Sequence, residues 1–248
     1  MEVGWPSELR LIRHAESAGN VARARALEIG ATTIDIEHAR DCDVPLSALG
    51  ERQAHALGVW CRRHLEPLDA VVSSTYVRAQ QTVAIALRAA GWDDVPVVLD
   101  ERLREKEFGV LDRLTRAGIE QRFPDQAAMR GTLGKFYYRP PGGESWTDVI
   151  LRLRSLVETL THEYAGRRVA VVTHQVVVLC MRYVLERLTE AQILAIDRAG
   201  EVANCAVTTY RYDAAVQRPV LEAYNVVAPL VEAGEPVTRE SDLPIARK

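Results

Sequence analysis

Three stretches of this sequence place arginine or histidine where a buried strand ends or a helix begins. Arg13 and His14 directly follow a short apolar run that predicts a strand, and His174 ends a second run of this kind. Arg78 lies in the first turn of the helix predicted after a third apolar run. Ligands of an open α/β sheet bind in the crevice beyond the carboxyl ends of its strands. We therefore expect these four side chains to face one crevice.

The residue types in this set suit chemistry on a phosphoryl group. Arginine stays charged at any working pH, and its planar fork can hold two phosphate oxygens at once. Two arginines, an imidazole and an amide donor such as Asn20 would surround a phosphate dianion with donors. An imidazole acts as a nucleophile only in its neutral form. Because like charges repel, Arg13 and Arg78 are expected to lower the pKa of His14 and keep it neutral near pH 7.

Apolar runs that alternate with helical patterns indicate a parallel sheet covered by helices. The predicted strands are residues 9–12, 69–74, 95–99, 168–174, 202–212 and 220–227, of which the last two form an edge hairpin. The predicted helices are residues 21–29, 146–164 and 175–185, with further helices capped by Ser47 and beginning near Arg78. We expect an α/β fold, a three-layer α/β/α sandwich whose mostly parallel sheet has an antiparallel edge. One catalytic domain would span residues 1–232, followed by a loosely held tail at 233–248.

Two segments are predicted to lie over the crevice as irregular structure. Residues 30–44 are polar and end at a proline, which favours a lid or a surface excursion. Residues 131–145 are rich in glycine, proline, aromatics and cations, which predicts a loop. In this loop, Lys135 and Arg139 are candidates for contacting the far end of an anionic substrate, and the alternative is that both are solvated cations.

The motif of residues 13–17 (RHAES), with Asn20 three positions on, resembles the signature of the histidine phosphatase superfamily, the phosphoglycerate-mutase-like proteins. Further stretches resemble family landmarks in the same order along the chain. These are residues 43–54 (DVPLSALGERQA), 73–82 (SSTYVRAQQT) and 171–174 (VVTH). The resemblance covers roughly residues 9–185 and implies a phosphoglycerate-mutase-like fold.

The resemblance also implies a proton donor and a reaction in two steps. The family places its proton-donating carboxylate in the pattern L-x-E-x-x-x-G, which Leu103, Glu105 and Gly109 match, so Glu105 is preferred to Glu101 and Glu107. His14 would take the phosphoryl group, Glu105 would protonate the leaving group, and the same carboxylate would then activate water. Arg13, Asn20, Arg78 and His174 would hold the phosphate.

The chain departs from the family pattern at three places. Ala15 and Gln175 stand where the family more often has glycine. Residues 110–114 (VLDRL) stand where many phosphatases of the family continue with an aromatic residue, a carboxylate and a second glycine. A side chain at Gln175 would narrow the floor of the pocket or add a hydrogen-bond donor. Ser17 is a further candidate for touching the phosphate. The remaining histidines lie in no matching motif and are expected to be structural.

Composition limits the other possibilities. The chain has 248 residues, 48% of them hydrophobic, and a formal net charge of −3, which argues against nucleic-acid and anionic-membrane partners. Four scattered cysteines without metal or redox spacing, and a start that lacks the pattern of a signal peptide, favour a reduced cytoplasmic protein. We expect no metal and no cofactor. The expected partner is a small phosphorylated metabolite, with a phosphoprotein as the alternative, and the resemblance makes a homodimer plausible.

Taken together, these residues predict metal-independent hydrolysis of phosphomonoesters through a phosphohistidine at His14. One alternative is a mutase that passes the phosphoryl group between hydroxyls of one small acid. The other is a weakly catalytic protein that binds a phosphorylated ligand as a regulator. Retention of both His14 and Glu105 argues against a binder, which needs neither a nucleophile nor an acid. The sequence does not identify the substrate.

Overall fold

A computed structural model of the chain describes residues 4–239, which contain one six-stranded sheet in the order β3-β2-β4-β1-β5-β6. The strands are β1 (Glu8–Arg13), β2 (Ala70–Ser73), β3 (Val97–Leu99), β4 (Arg168–Thr173), β5 (Val207–Asp213) and β6 (Arg218–Val226). β1 to β4 pair in parallel, whereas β5 pairs antiparallel with both β1 and β6. The predicted mostly parallel sheet with an antiparallel edge is confirmed.

Helices cover both faces of this sheet. They are α1 (Ala18–Glu28), α2 (Ala48–His64), α3 (Val77–Ala90), α4 (Arg116–Arg122), α5 (Pro124–Tyr137), α6 (Trp146–Glu163), α7 (Gln175–Glu186), α8 (Glu190–Ala199) and α9 (Ala228–Ala233). Because successive strand residues point to opposite faces, Leu9 and Leu11 join the core under α6 and α7, while Ile12 joins the core under α2 and α3. The three-layer sandwich is therefore confirmed. None of the helices within residues 4–239 is long and apolar enough to cross a membrane.

Serine side chains begin three of the helices that border the crevice. Ser17, Ser47 and Ser145 each accept a hydrogen bond from a backbone N–H in the first turn of α1, α2 and α6, respectively. A capping serine satisfies one of the donors that a helix N-terminus leaves unpaired. The predicted caps at Ser47 and Ser145 are confirmed, and α1 begins earlier than predicted because Ser17 caps it.

The prediction of a loop over residues 131–145 is wrong in its first half. Helix α5 continues to Tyr137, with one non-helical residue at Gly134 (φ 76°, ψ 163°). Phe136, only 3% exposed, packs against Trp146 and Tyr183 and so holds this turn against the core. Tertiary packing thus overrides the local glycine signal, and only the segment after Tyr137 is irregular.

The predicted edge hairpin is confirmed for β5 and β6, but β5 lies inside the sheet and begins at Val207. The residues just before it turn beneath the end of β1 instead of extending the strand. There the N–H of Cys205, a residue with φ of 56°, donates to the Arg13 carbonyl (3.1 Å). The Asn204 amide donates to the His14 carbonyl (2.9 Å). This turn fixes the backbone at the crevice.

The described part of the predicted tail contacts the domain. The Gln53 amide donates to the Pro236 carbonyl (2.9 Å) and to Thr238 Oγ1 (3.0 Å), and the Thr238 hydroxyl donates to Asn204 Oδ1 (3.0 Å). Residues 240–248 lie outside the described residues, and a loosely held tail there stays a prediction.

Close packing of α2 on α3 requires the absence of a side chain at Gly58. A Cβ at this position would lie 2.2 Å from the Ala86 carbonyl oxygen and 2.7 Å from Ala89 Cβ. We predict that Gly58→Ala lowers the free energy of unfolding by about 1–3 kcal/mol, the usual cost of overpacking. Gly131→Ala is the control, because its Cβ would meet nothing within 4 Å. It should raise the free energy of unfolding slightly, since alanine favours a helix over glycine by about 0.5–1 kcal/mol. Denaturant unfolding followed by circular dichroism measures both, and equal effects would contradict the packing argument.

Candidate active site

His14 lies at the carboxyl end of β1 with its ring fixed on one side. Its Nδ1 is 2.7 Å from the Ala15 carbonyl oxygen, which can only accept, so Nδ1 carries the proton and Nε2 presents a lone pair. The side chain is buried, and its pKa lies well below the usual range. Burial is the largest cause, followed by the charges of Arg78 and Arg13. The ring is therefore neutral near pH 7, and burial lowers its pKa more than the predicted repulsion does.

Arg13 is held by acceptors from distant parts of the chain. Its Nη1 donates to Gln175 Oε1 (2.8 Å) and to the Val202 carbonyl (2.6 Å). Gln175 is the first residue of α7, and both side chains line the pocket that contains His14. The departure from glycine at this position thus supplies an acceptor that orients an arginine, and the donor expected from the Gln175 amide nitrogen stays a prediction.

Ser17 and Asn20 form a capping box at the start of α1. The Ser17 N–H and hydroxyl both donate to Asn20 Oδ1 (2.9 and 3.0 Å), and the Asn20 N–H donates back to Ser17 Oγ (3.2 Å). Because Oδ1 is engaged in the cap, the orientation of the Asn20 amide is set by the helix start. Both residues line the same pocket as His14.

Arg78, in the first turn of α3, reaches the pocket and meets a carboxylate there. Its Nη1 donates to the Asp41 backbone oxygen (2.7 Å) and to Oδ1 (3.2 Å), and its Nη2 donates to Oδ2 (2.9 Å). The guanidinium carbon lies 4.8 Å from the centre of the Tyr76 ring. Asp41 belongs to the segment predicted to be a lid, and no local pattern predicted its pairing with Arg78.

His174 directly precedes α7, without a side-chain bond to the helix start, and lies against His14. The centres of the two rings are 5.0 Å apart in an edge-on arrangement, and Nε2 of His174 is 2.8 Å from Ser74 Oγ. Burial is the largest cause of the lowered pKa of His174, and Arg78 and His14 lower it further by smaller amounts. Within the described residues, its Nδ1 has no hydrogen-bond partner, which is unusual for a buried polar atom.

Of the three candidate carboxylates after β3, Glu105 lines the pocket with His14. Its Oε1 accepts a hydrogen bond from the Lys106 N–H (2.8 Å). Glu107 instead accepts from the Tyr76 hydroxyl (3.0 Å), and Glu101 lies exposed in a single turn.

A buried carboxylate that sequence reasoning missed holds the loop of Glu105. Glu144, 8% exposed, accepts from Arg104 Nη2 (2.7 Å), from Arg152 Nε (3.0 Å) and from the Glu107 N–H (3.1 Å). Arg152 in turn donates to the backbone oxygens of Arg102 and of Glu105. Glu144 lies next to the predicted cap Ser145, but nothing in the local pattern marked its partners, of which Arg104 is 40 residues away and Arg152 eight residues away.

Arg139 is not among the residues that line this pocket, and its contact with the far end of a substrate stays a prediction. Its Nε donates to the Gly143 carbonyl (3.0 Å) and lies 3.6 Å from Asp148, and the side chain is 67% exposed. Lys135 is tied to Asp197 (2.8 Å). The wall opposite His14 is built instead by Ile34, Ile36 and Phe108, with Asp112 and Arg113.

Within residues 4–239, no three His, Cys, Asp or Glu side chains are grouped so that they could hold a metal ion. The pocket instead places fixed cations around a neutral imidazole, and the carboxylate of Glu105 lines the same space together with those of Asp41 and Asp112. Such a set can bind a dianion, attack it with nitrogen and exchange a proton with it.

Comparison with known proteins agrees with this geometry. The model of the histidine phosphatase superfamily (branch 1) matches residues 9–226. The chain belongs to the histidine phosphatase superfamily. It is 33% identical over 187 residues to a 2,3-bisphosphoglycerate-dependent phosphoglycerate mutase of Methylobacterium radiotolerans, covering 75% of this chain and 82% of that protein. It is 31% identical over 176 residues to such a mutase of Gloeobacter violaceus, covering 69% and 76%.

Among solved structures of the superfamily, the chain resembles a mycobacterial glucosyl-3-phosphoglycerate phosphatase in complex with inorganic phosphate. The TM-score is 0.66 at 27% sequence identity, and the alignment covers 90% of this chain and 99% of that one. The relatives thus include both mutases and phosphatases, and the resemblance predicted from the motifs is confirmed.

The role of Glu144 in stability can be measured directly. We predict that Glu144→Gln lowers the free energy of unfolding by about 3 kcal/mol or more, because it leaves Arg104 and Arg152 without a buried counter-charge. Glu120→Gln is the control, since it removes an ion pair with Arg116 in which both side chains are about half exposed, and should cost at most about 0.5 kcal/mol. Denaturant unfolding compares the two. Similar small losses would contradict a buried network that holds the Glu105 loop.

Proposed function

We propose that this superfamily member is a metal-independent phosphomonoesterase that works through a phosphohistidine at His14. The observation that carries the proposal is the state of the His14 ring. Its Nδ1–H is fixed on the Ala15 carbonyl and its pKa is lowered, so Nε2 is a lone-pair donor beside Arg13 and Arg78. A neutral, oriented imidazole next to two fixed cations is what attack on a phosphate dianion requires.

In the first step, Nε2 of His14 bonds to phosphorus while the bond from phosphorus to the ester oxygen breaks. Arg13, Arg78 and Asn20 would hold the equatorial oxygens. The Ser17 hydroxyl donates to Asn20 Oδ1 and would have to turn away from it to join them. The buried Nδ1 of His174, which has no partner within the described residues, would donate to the same group. Glu105 would protonate the departing oxygen, because an alkoxide is a poor leaving group.

In the second step, water attacks the phosphohistidine and the bond from phosphorus to Nε2 breaks. Glu105, now a carboxylate, would take the proton from that water. The products are inorganic phosphate, the alcohol and the neutral imidazole, so the enzyme returns to its starting state. A second hydroxyl in place of water would give a mutase.

Phosphotransfer between hydroxyls is the second candidate, because the two curated relatives described above are named phosphoglycerate mutases. Hydrolysis is favoured for this chain because the segment between Gly109 and Ser145 departs from the glycolytic mutases, and because the chain is similar to a phosphatase over 90% of its length. For the substrate we propose a small phosphorylated metabolite whose other end meets Ile34, Ile36 and Phe108, which line the pocket.

The nucleophile can be tested with a chelator and one substitution. We predict that the natural protein releases phosphate from a panel of small phosphomonoesters in EDTA and that His14→Ala abolishes the release, because no other imidazole occupies that position. His162→Ala, an exposed histidine on α6, is the control and should act normally. Phosphate release measures all three.

Normal turnover by His14→Ala would end the phosphohistidine proposal. If the natural protein releases no phosphate but exchanges the isomers of phosphoglycerate, it is the mutase. If it does neither but binds phosphate esters, it is the regulator that the sequence left open.

The acid can be tested through the leaving group. We predict that Glu105→Gln slows an alkyl phosphate by about 10²–10⁴-fold, the usual contribution of a general acid, and slows an activated aryl phosphate far less in the phosphorylation step. Glu101→Gln, in the same connection but exposed, is the control. Burst kinetics separate formation of the phosphohistidine from its hydrolysis. Equal slowing of both substrates in the burst would point to Glu107 or to another donor.

A further inference from the structure

Asp41 presents its carboxylate to Arg78 in the way that a phosphate would. Its two oxygens accept from the two terminal nitrogens of the guanidinium, at 3.2 and 2.9 Å, and its backbone oxygen accepts a third bond at 2.7 Å. This is the fork geometry through which arginine holds phosphate or carboxylate. A phosphate that takes the same end-on fork must displace the carboxylate, because Asp41 already occupies both terminal nitrogens on that side.

The carboxylate of Asp41 lies at the border between pocket and solvent. The Arg78 side chain is only 6% exposed, whereas that of Asp41 is 39% exposed. Water can therefore solvate Asp41 if it leaves Arg78, so the displacement costs less than exposing a fully buried charge. The charge of Asp41 also acts inside the pocket. Burial raises the pKa of Asp112, and repulsion by the Asp41 carboxylate raises it further.

The residues just before Asp41 are bonded to the domain through their backbone oxygens. Arg113 donates to those of Ile36 (3.4 Å), His38 and Ala39 (2.9 Å). A single turn follows, Asp41–Asp43, in which the Val44 N–H donates to the Asp41 oxygen (3.2 Å). The bonds to Arg78 and to Arg113 thus hold residues 36–41 at the pocket, whereas residues 31–34 are bonded separately to the backbone of Arg113 and to Thr115.

We infer that Asp41 is a specificity-determining residue that competes with the phosphoryl group for Arg78. A bound phosphate displaces the carboxylate and loosens the turn at 41–43. This inference rests on the proposed role of Arg78 as a phosphate ligand. The observed binding free energy of an anion is then the free energy of its own bonds to Arg78 minus that of the Asp41 bonds it replaces.

Two consequences follow for the proposed reaction. A dianion that also engages Arg13 and His174 can displace Asp41, whereas a weaker anion that relies on Arg78 alone cannot. Inorganic phosphate, the product of every turnover, would be held by the same arginines, and the returning carboxylate helps to expel it. Asp41 therefore disfavours weak anions and product together.

The test compares Asp41→Asn with Asp43→Asn. Asp43 lies in the same turn, but its carboxylate bonds Arg40 at the surface (2.7 Å). Titration calorimetry with inorganic phosphate should give a dissociation constant about tenfold lower for Asp41→Asn than for the natural protein, as expected for removing one charge-assisted competitor. Asp43→Asn should stay within about twofold of the natural protein. Unchanged or weaker binding by Asp41→Asn would overturn the inference, because Asp41 would then orient Arg78 for phosphate.

A third variant separates this inference from the proposed function. Arg78→Gln should lose phosphate binding. If it does and Asp41→Asn gains nothing, the competition fails while Arg78 remains a phosphate ligand. If Arg78→Gln binds phosphate normally, both fail. If Asp41→Asn binds more tightly but the natural protein hydrolyses no phosphomonoester, the competition stands and the proposed function fails.

Hydrogen exchange on the natural protein gives an answer that needs no variant. Saturating inorganic phosphate should speed the exchange of amides in residues 37–44, including that of Val44, although most bound ligands slow exchange in the segments that line their site. Sodium chloride at equal ionic strength is the control. Slower exchange in this segment would show that phosphate closes the turn, which contradicts displacement.

Discussion

The site depends on keeping an imidazole neutral beside two guanidinium groups inside the protein. Arginine does not give up its proton, so a protonated His14 would be both buried and repelled by two positive charges. The pKa of His14 therefore lies well below the usual range, and the ring is neutral. The buried arginines still need acceptors, because an unpaired buried charge is costly. Arg13 finds them in Gln175 and the Val202 carbonyl, and Arg78 finds them in Asp41. Each acceptor comes from a different part of the chain, so the site requires the whole sheet to be assembled.

The sheet fixes the reacting nitrogen through the backbone around it. β1 lies between β4 and β5, and the His14 N–H donates to the Thr173 carbonyl (2.8 Å). On the other side, the Asn204 amide donates to the His14 carbonyl, and the ring itself donates to the Ala15 carbonyl. The backbone of His14 is thus held on both sides at the end of a central strand, and the ring makes a bond of its own, so it has little freedom to turn. Little reorganisation is then left for the moment of reaction, which is where preorganised sites gain their rate.

Sequence reasoning found the parts of the site that depend on local pattern. A strand that ends in a polar residue is visible in the sequence, and this predicted the positions of Arg13, His14 and His174 as well as the parallel sheet. Glu105 needed the family resemblance, because three carboxylates stand in one connection. The end of α5 was misjudged because its glycines suggested a loop, whereas Phe136 packs into the core there. Asp41 was missed because Arg78 is 37 residues away, and Glu144 because Arg104 is 40 residues away and Arg152, although only eight away, meets it through the start of α6. Only tertiary structure brings such charges together.

This difference between local and long-range features has a functional counterpart. The cations and the nucleophile stand on strand ends and helix starts, which the core holds in place. The carboxylates of the site lie on connections between these elements. Asp41, which bonds Arg78, precedes α2, and Glu105, the proposed proton donor, lies in the loop that Glu144 holds. Hydrolysis and phosphotransfer differ only in whether water or a second hydroxyl reaches the phosphorylated imidazole. Because the strand ends serve both reactions equally, the choice between them must lie in the connections that shape the opposite wall, where this chain departs furthest from the family pattern.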